Sequence, residues 1–118
     1  DHSLVMNNYY DEDIKYQQHY DKVKNTADLD SKAKAEFSRE ARTISVTFPG
    51  DSTAPASGTI LLYNPVSAAS DKSYSFVSAS DMTYTIPTTG LKAGRWKVKI
   101  DWTQNSKAYY QEEEIYIQ

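Results

Sequence analysis

His2 and Met6 stand four residues apart, a spacing that brings both side chains to one side of a helical turn. An imidazole beside a thioether is a donor pair suited to copper. His19 or Met82 would complete such a set. The chain has two histidines and two methionines, too few to repeat any ligand spacing. His19, between Gln18 and Tyr20, fits a surface helix, and Met82 fits the apolar start of a strand. His2 and Met6 are therefore the metal candidates, copper is the one metal they would suit, and no cofactor is otherwise expected. A nucleophilic triad would need a histidine beside an aspartate and a serine. The serines crowd into residues 67–80 instead, where they read as turn formers. No catalytic residue is assigned, and an enzyme is not expected. Glu112, Glu113 and Glu114 would hold a cation only by converging, but strand alternation turns Glu113 away from its neighbours. A charged, protected edge strand explains the run better. Arg95, Lys97 and Lys99 form a basic row suited to pairing across strands with it.

The elements that position these residues begin with a helix. Asn7 or Asn8 would cap it, and Asp11, Glu12 and Asp13 would follow in its first turn, where the macrodipole favours anions. Lys22 and Lys24 suit its other end, and Asn25-Thr26 then reads as a break. The expected helix runs over about 9–24. Tyr9, Tyr16, Tyr20 and Val23 recur on it at helical steps, interrupted by Asp13, which makes one half-apolar aromatic stripe. Tyrosine buries ring carbon while its hydroxyl stays near water, so the stripe suits a docked or docking surface. Tyr10, Tyr16 and Tyr20 are the candidate partner-binding residues.

After Ser31 the pattern changes from helical to alternating, dividing an N-terminal segment and helix (1–30) from a β-rich domain (31–118). Ile44, Val46 and Phe48 alternate with polar residues up to Pro49-Gly50; further short apolar runs cover 59–63, 74–76 and 82–86. Residues 33–38 add a candidate edge strand. The strongest strand sets Trp96, Val98, Ile100 and Trp102 on one face and Arg95, Lys97, Lys99 and Asp101 on the other. Those four apolar residues are the candidate structural core. Gln104-Asn105-Ser106 then turns the chain into a final strand. The expected fold is mainly β: an immunoglobulin-like antiparallel sandwich of six or seven strands preceded by one helix, with a small barrel as the competing architecture.

The chain has 118 residues, a net charge of −3 with both signs interspersed, and no cysteine. That length supports one core without staples. The charge pattern offers no basic field for nucleic acid or anionic lipid. No run approaches the length of a transmembrane helix.

Asp1-His2-Ser3-Leu4-Val5 leading into Tyr9-Tyr10, then Asp13, Tyr16-Gln17 and Asp21, resembles the juxtamembrane segment of the FixH family, also called CcoH. Ser57-Gly58-Thr59-Ile60 with Leu62-Tyr63 and Pro65 is similar to that family's middle strand and turn. Gly94-Arg95-Trp96-Lys97, Asp101-Trp102, Tyr109-Tyr110 and Glu112-Glu113 follow in the same order. No family pattern appears in residues 67–80. The resemblance implies an N-terminal membrane anchor lying upstream of Asp1 and a domain at the periplasmic face of the bacterial inner membrane. It also implies a non-enzymatic accessory role in assembly or stabilisation of cbb-type cytochrome c oxidase, with a link to copper delivery. The implied partners are oxidase subunits or a copper-transporting ATPase. The resemblance carries no site residues with it. A periplasmic copper-binding carrier and a generic extracytoplasmic binding or adhesion sandwich are the alternative readings.

Overall fold

The computed structural model describes residues 2–67 and 70–118, with side chains from Asp11 onward. One helix, α1 (His2–Ala27), precedes seven strands: β1 (Lys34–Ser38), β2 (Thr43–Thr47), β3 (Ser57–Tyr63), β4 (Lys72–Val77), β5 (Thr83–Pro87), β6 (Gly94–Gln104) and β7 (Lys107–Ile117). They form two antiparallel sheets, ordered β1-β2-β5 and β4-β3-β6-β7. This is the expected sandwich of immunoglobulin-like type.

Alternation along each strand builds the core between the sheets. On β6, Trp96, Val98 and Ile100 are fully buried and Trp102 nearly so. Ile44, Val46 and Ile86 face them from the first sheet, joined by Ile60 and Leu62 of β3. Burying each such side chain contributes about 1.5–3 kcal/mol. The two tryptophans close opposite ends of the sandwich. Trp96 donates its indole N–H to the Lys92 carbonyl at 2.9 Å, and Trp102 donates to Gln104 at 3.2 Å. Gln104 in turn donates to the carbonyls of Pro49 and Ala54, so the indole that needs a buried partner also pins the 49–56 loop. Phe48 meets Trp102 edge-on at 5.4 Å, and Tyr109 stacks on it at 5.2 Å.

Three local expectations require correction. The helix starts at His2, not near Tyr9, and continues to Ala27. Residues 2–8 hold no glycine or proline, so the asparagines are interior residues and Asp11 to Asp13 lie well past the first turn. At the other end, Asn25 and Thr26 stay helical because their side chains find partners on the sheet. Secondly, Met82 does not begin a strand. It sits buried in the turn before β5 with a positive φ of 64°, and its carbonyl accepts from Phe48. Thirdly, Ser73 belongs to β4 and pairs with Leu61; like Ser75, which lies in the strand expected over 74–76, it is a strand residue on the outward face, whereas Ser67 and Ser70 do lie in a turn.

The turn joining β6 to β7 places Asn105 and Ser106 at φ 53° and 64°. A two-residue loop with both φ positive matches the twist of the strands it joins, and asparagine tolerates that conformation. Gly58 answers a different need. It lies opposite Trp102 in the β3–β6 ladder, and a Cβ built on it would stand 2.1 Å from the Asp101 carbonyl oxygen and 2.9 Å from the Trp102 Cα. The obstruction is backbone, so it cannot swing aside. Gly58→Ala is expected to cost about 3 kcal/mol or more in denaturant unfolding. Trp96→Ala, which removes a fully buried ring, should cost about 3–5 kcal/mol in the same measurement. A loss below about 1 kcal/mol in either variant would contradict this packing.

Candidate interaction surface

The last two turns of α1 lie against β7 and the outer face of the four-stranded sheet. His19, Lys22 and Thr26 share one helical face, and each meets the sheet. The His19 ring packs edge-on to Tyr110 at 4.8 Å. Lys22 Nζ sits 3.0 Å from both carboxylate oxygens of Asp101. Thr26 Oγ1 donates to the Lys22 carbonyl at 2.8 Å and accepts the Tyr110 backbone N–H at 2.9 Å. Asn25 adds a bond from its amide to the Ala108 carbonyl at 2.9 Å. Lys32 then folds back to donate to the carbonyls of Ala27 and Leu29, satisfying the helix end.

This attachment is polar, so its strength is held in hydrogen bonds of about 0.5–1.5 kcal/mol each. The Lys22–Asp101 pair, partly open to solvent, adds about 0.2–1 kcal/mol. Asn25 and Thr26 have a further role. They supply a donor and an acceptor to the free edge of β7, as a neighbouring strand would, and so cap its first residues against unwanted pairing.

The aromatic stripe lies on a different face of α1. Tyr16, Tyr20 and Val23 are 65%, 55% and 44% exposed, and Ile14 is exposed as well. Of the candidate partner-binding residues, Tyr16 and Tyr20 are thus open to solvent, as is every residue from Asp11 to Asp21; the side chain of Tyr10 lies outside the described residues. The side chains of His2 and Met6 also lie outside them, although both backbones are helical. His19 and Met82 are not brought together, because His19 rests on the outer face of the sheet while Met82 is buried in the core. Among the described residues, no cluster of three or more His, Cys, Asp or Glu side chains is placed to hold a metal.

The charged rows pair across strands. Lys97 lies opposite Glu114 and Lys99 opposite Glu112, Arg95 reaches Glu114 at 3.9 Å, and Lys99 lies over the Tyr63 ring at 5.1 Å. Ser78 is buried and accepts the Ala56 N–H at 2.9 Å, a role in loop closure. The docking residues were not recognisable beforehand. Lys22 and Asp101 are 79 positions apart, and nothing local to either marks it as paired.

Tyr110 ties the site together. Its hydroxyl donates to Glu112 at 2.7 Å, and its ionisation is pushed up from the ordinary value of 10.0, first by burial and then by that bond, with the Glu112 and Asp101 charges adding to the effect.

The structure defines a class: an immunoglobulin-like sandwich carrying an N-terminal helix along the edge of its larger sheet, with an apolar stripe of that helix left open. The chain belongs to the FixH family, whose model matches residues 1–116. No curated protein and no solved structure is detectably similar to it.

Two outcomes are expected of this attachment. Thr26→Val keeps the branched shape but leaves the Tyr110 N–H without its acceptor, at about 1–3 kcal/mol. Amides at the end of α1 and at Tyr110 should exchange with solvent about 10-fold faster or more, while core amides of β3 and β6 keep their protection. For Tyr110 itself, a raised folded value means that its stabilisation is complete below about pH 10 and is lost as pH rises beyond that, because the unfolded tyrosine ionises first. Tyr110→Phe should therefore lose less stability than the parent chain above about pH 10 in denaturant titrations. An identical alkaline loss in both proteins would count against this environment.

Proposed function

We propose that this chain is a non-enzymatic, membrane-anchored periplasmic accessory protein that assists assembly or stabilisation of a cbb-type cytochrome c oxidase. Its partners are oxidase subunits or a copper-transporting ATPase, and copper enters through those partners. Membership of the FixH family along nearly the whole chain supports this reading. The contact surface is the stripe of Tyr16, Tyr20 and Val23. One observation carries that assignment: the last two turns of α1 are fastened to its own sandwich through His19, Lys22, Asn25 and Thr26, while the aromatic residues at three- and four-residue steps are left in solvent. Large amphipathic rings held on a fixed helix are the residue type that dominates protein interfaces.

The role fits a part that positions other proteins. No helix among the described residues is long and apolar enough to cross a membrane, so the proposed anchor is a segment separate from α1. The helix then stands between anchor and sandwich and presents its stripe close to the bilayer, where oxidase subunits would be met.

The test is affinity capture of the full-length protein from its own membranes, comparing the parent with a Tyr16→Ala/Tyr20→Ala variant. Recovery of oxidase subunits or the copper ATPase should fall by about 10-fold or more, while thermal melting of the sandwich stays cooperative and shifts little. Equal recovery from both baits would remove the stripe from the interface. Absence of either partner from an intact, folded parent bait would overturn the accessory role.

A further inference from the structure

Every residue from Asp11 to Asp21 is exposed, so about three turns of α1 stand in water before the helix is fastened to the sheet. A helix of that length is marginal by itself, because most helical stability comes from packing one face against a neighbour. Its composition does not make up the difference, since tyrosine, histidine and aspartate are weak helix formers. The stripe shows what kind of neighbour would supply the packing. Asp13, Tyr16, Tyr20, Val23 and Ala27 follow one another at steps of three, four, three and four residues, and all five are exposed. Alternating steps of this kind, averaging about 3.5 residues, make the seam by which one helix packs lengthwise on another. Carried back along the helical backbone, the same steps reach the positions of Tyr9, Met6 and His2. The seam lies roughly 100° around the helix axis from the line of His19, Lys22 and Thr26 that meets the sheet, so a second helix laid along it does not compete with the sandwich. One charge sits inside the seam. Asp13 forms no ion pair among the described residues, and steps of three and four from it reach only Tyr9, Tyr10, Tyr16 and Gln17, so α1 offers it no cation.

We propose that this seam receives an amphipathic helix of another protein, apolar at alternating three- and four-residue steps and carrying a Lys or Arg where it faces Asp13. The inference rests on the reading of the tyrosine stripe as the contact surface, and adds the form and charge of what docks there. A carboxylate within a helix–helix seam costs stability unless a cation meets it, and one polar pair at such a position fixes the register of the two helices. The rings beside Asp13 would shield that pair from water and strengthen it. A second copy of this chain is disfavoured in either orientation. Parallel pairing sets Asp13 against Asp13. Antiparallel pairing, which would bring Asp13 to Lys24, points the N-termini of the two helices in opposite directions, and with them the two membrane anchors.

The test places the photo-crosslinking residue benzoylphenylalanine at Ile14, Tyr16, Gln18, Tyr20 or Asp21, one position at a time, in the full-length protein in its own membranes. Tyr16 and Tyr20 lie on the seam, and the other three lie on the far side of the helix. Adduct yields from the seam positions should exceed the others by about 10-fold or more. Mapped by mass spectrometry, the two seam adducts should fall in one helical segment of one partner, three or four residues apart, with a Lys or Arg within one turn. Asp13→Lys should lower the yield from position 20 by about 10-fold through like-charge juxtaposition, whereas Asp11→Lys, on the opposite side of the helix, leaves it unchanged. Both substitutions are at exposed positions, and a cooperative melt matching the parent's checks that the sandwich stays folded. Equal yields around the helix, adducts to lipid or to a second copy only, no adducts, or an unchanged yield from Asp13→Lys would each overturn the proposal. The two readings fail separately. A seam partner unrelated to the oxidase or the copper ATPase overturns the accessory role and leaves the docked helix standing, whereas oxidase adducts in a non-helical segment do the reverse.

Discussion

The contact on which the rest of the structure depends is the close approach of β3 to β6 at Gly58 and Trp102. The two backbones come so near that no side chain fits between them. That approach seats the Trp102 indole against Phe48 and Tyr109 and brings its N–H to Gln104. Everything at this end of the sandwich follows: the 49–56 loop is held by Gln104, and β7 is held by the paired β6 backbone and by Tyr109. Since β7 is the strand to which the helix is fastened, the position of α1 is set through Trp102 as well.

The edge of the larger sheet is managed in two ways along one strand. Near the turn, Asn25 and Thr26 of α1 take the place of a neighbouring strand. Farther along, β1 runs beside the strand, and Glu112 and Glu114 discourage self-pairing by charge. The division has a structural cause, since the helix crosses only part of the strand before Lys32 and Ala33 lead the chain into β1. A single strand thus has one segment of its edge covered by the helix and the next by β1.

The polar character of the helix attachment bears on how such a protein would work beside a membrane. An apolar attachment would have used the tyrosines and left a charged helix outside. Here Lys22, Asn25 and Thr26 are used inward while Tyr16, Tyr20 and Val23 stay exposed, so apolar area remains for another molecule. Tyr110 couples the two layers, packing under His19 and donating to Glu112 in the charged row. The helix is therefore oriented about its own axis as well as placed, and the direction in which Tyr16 and Tyr20 face is a property of the fold.

Much of this was legible in the chain. The alternation of Trp96, Val98, Ile100 and Trp102 announced a buried strand because a two-residue period has one simple solution in a sheet with one wet face. The turn residues Pro49-Gly50, Asn64-Pro65 and Asn105-Ser106 divided the strands, and the alternation of 112–114 told that Glu113 would part from its neighbours. The basic row opposite the acidic one was foreseeable for the same reason. These are local signals, carried by residues a few positions apart. What the tertiary structure alone decided involves partners far apart in the chain. Asn25 and Thr26 looked like a helix break, and they stay helical because β7 offers them a carbonyl and an N–H more than 80 positions away. Met82 looked like the first residue of a strand, and packing holds it in a turn with positive φ. The tyrosine stripe was visible as a periodicity, but periodicity gives only the angle between residues around a helix. Which face turns inward is settled by the Asp101 carboxylate and the open edge of β7, and no local pattern in residues 9–27 encodes either.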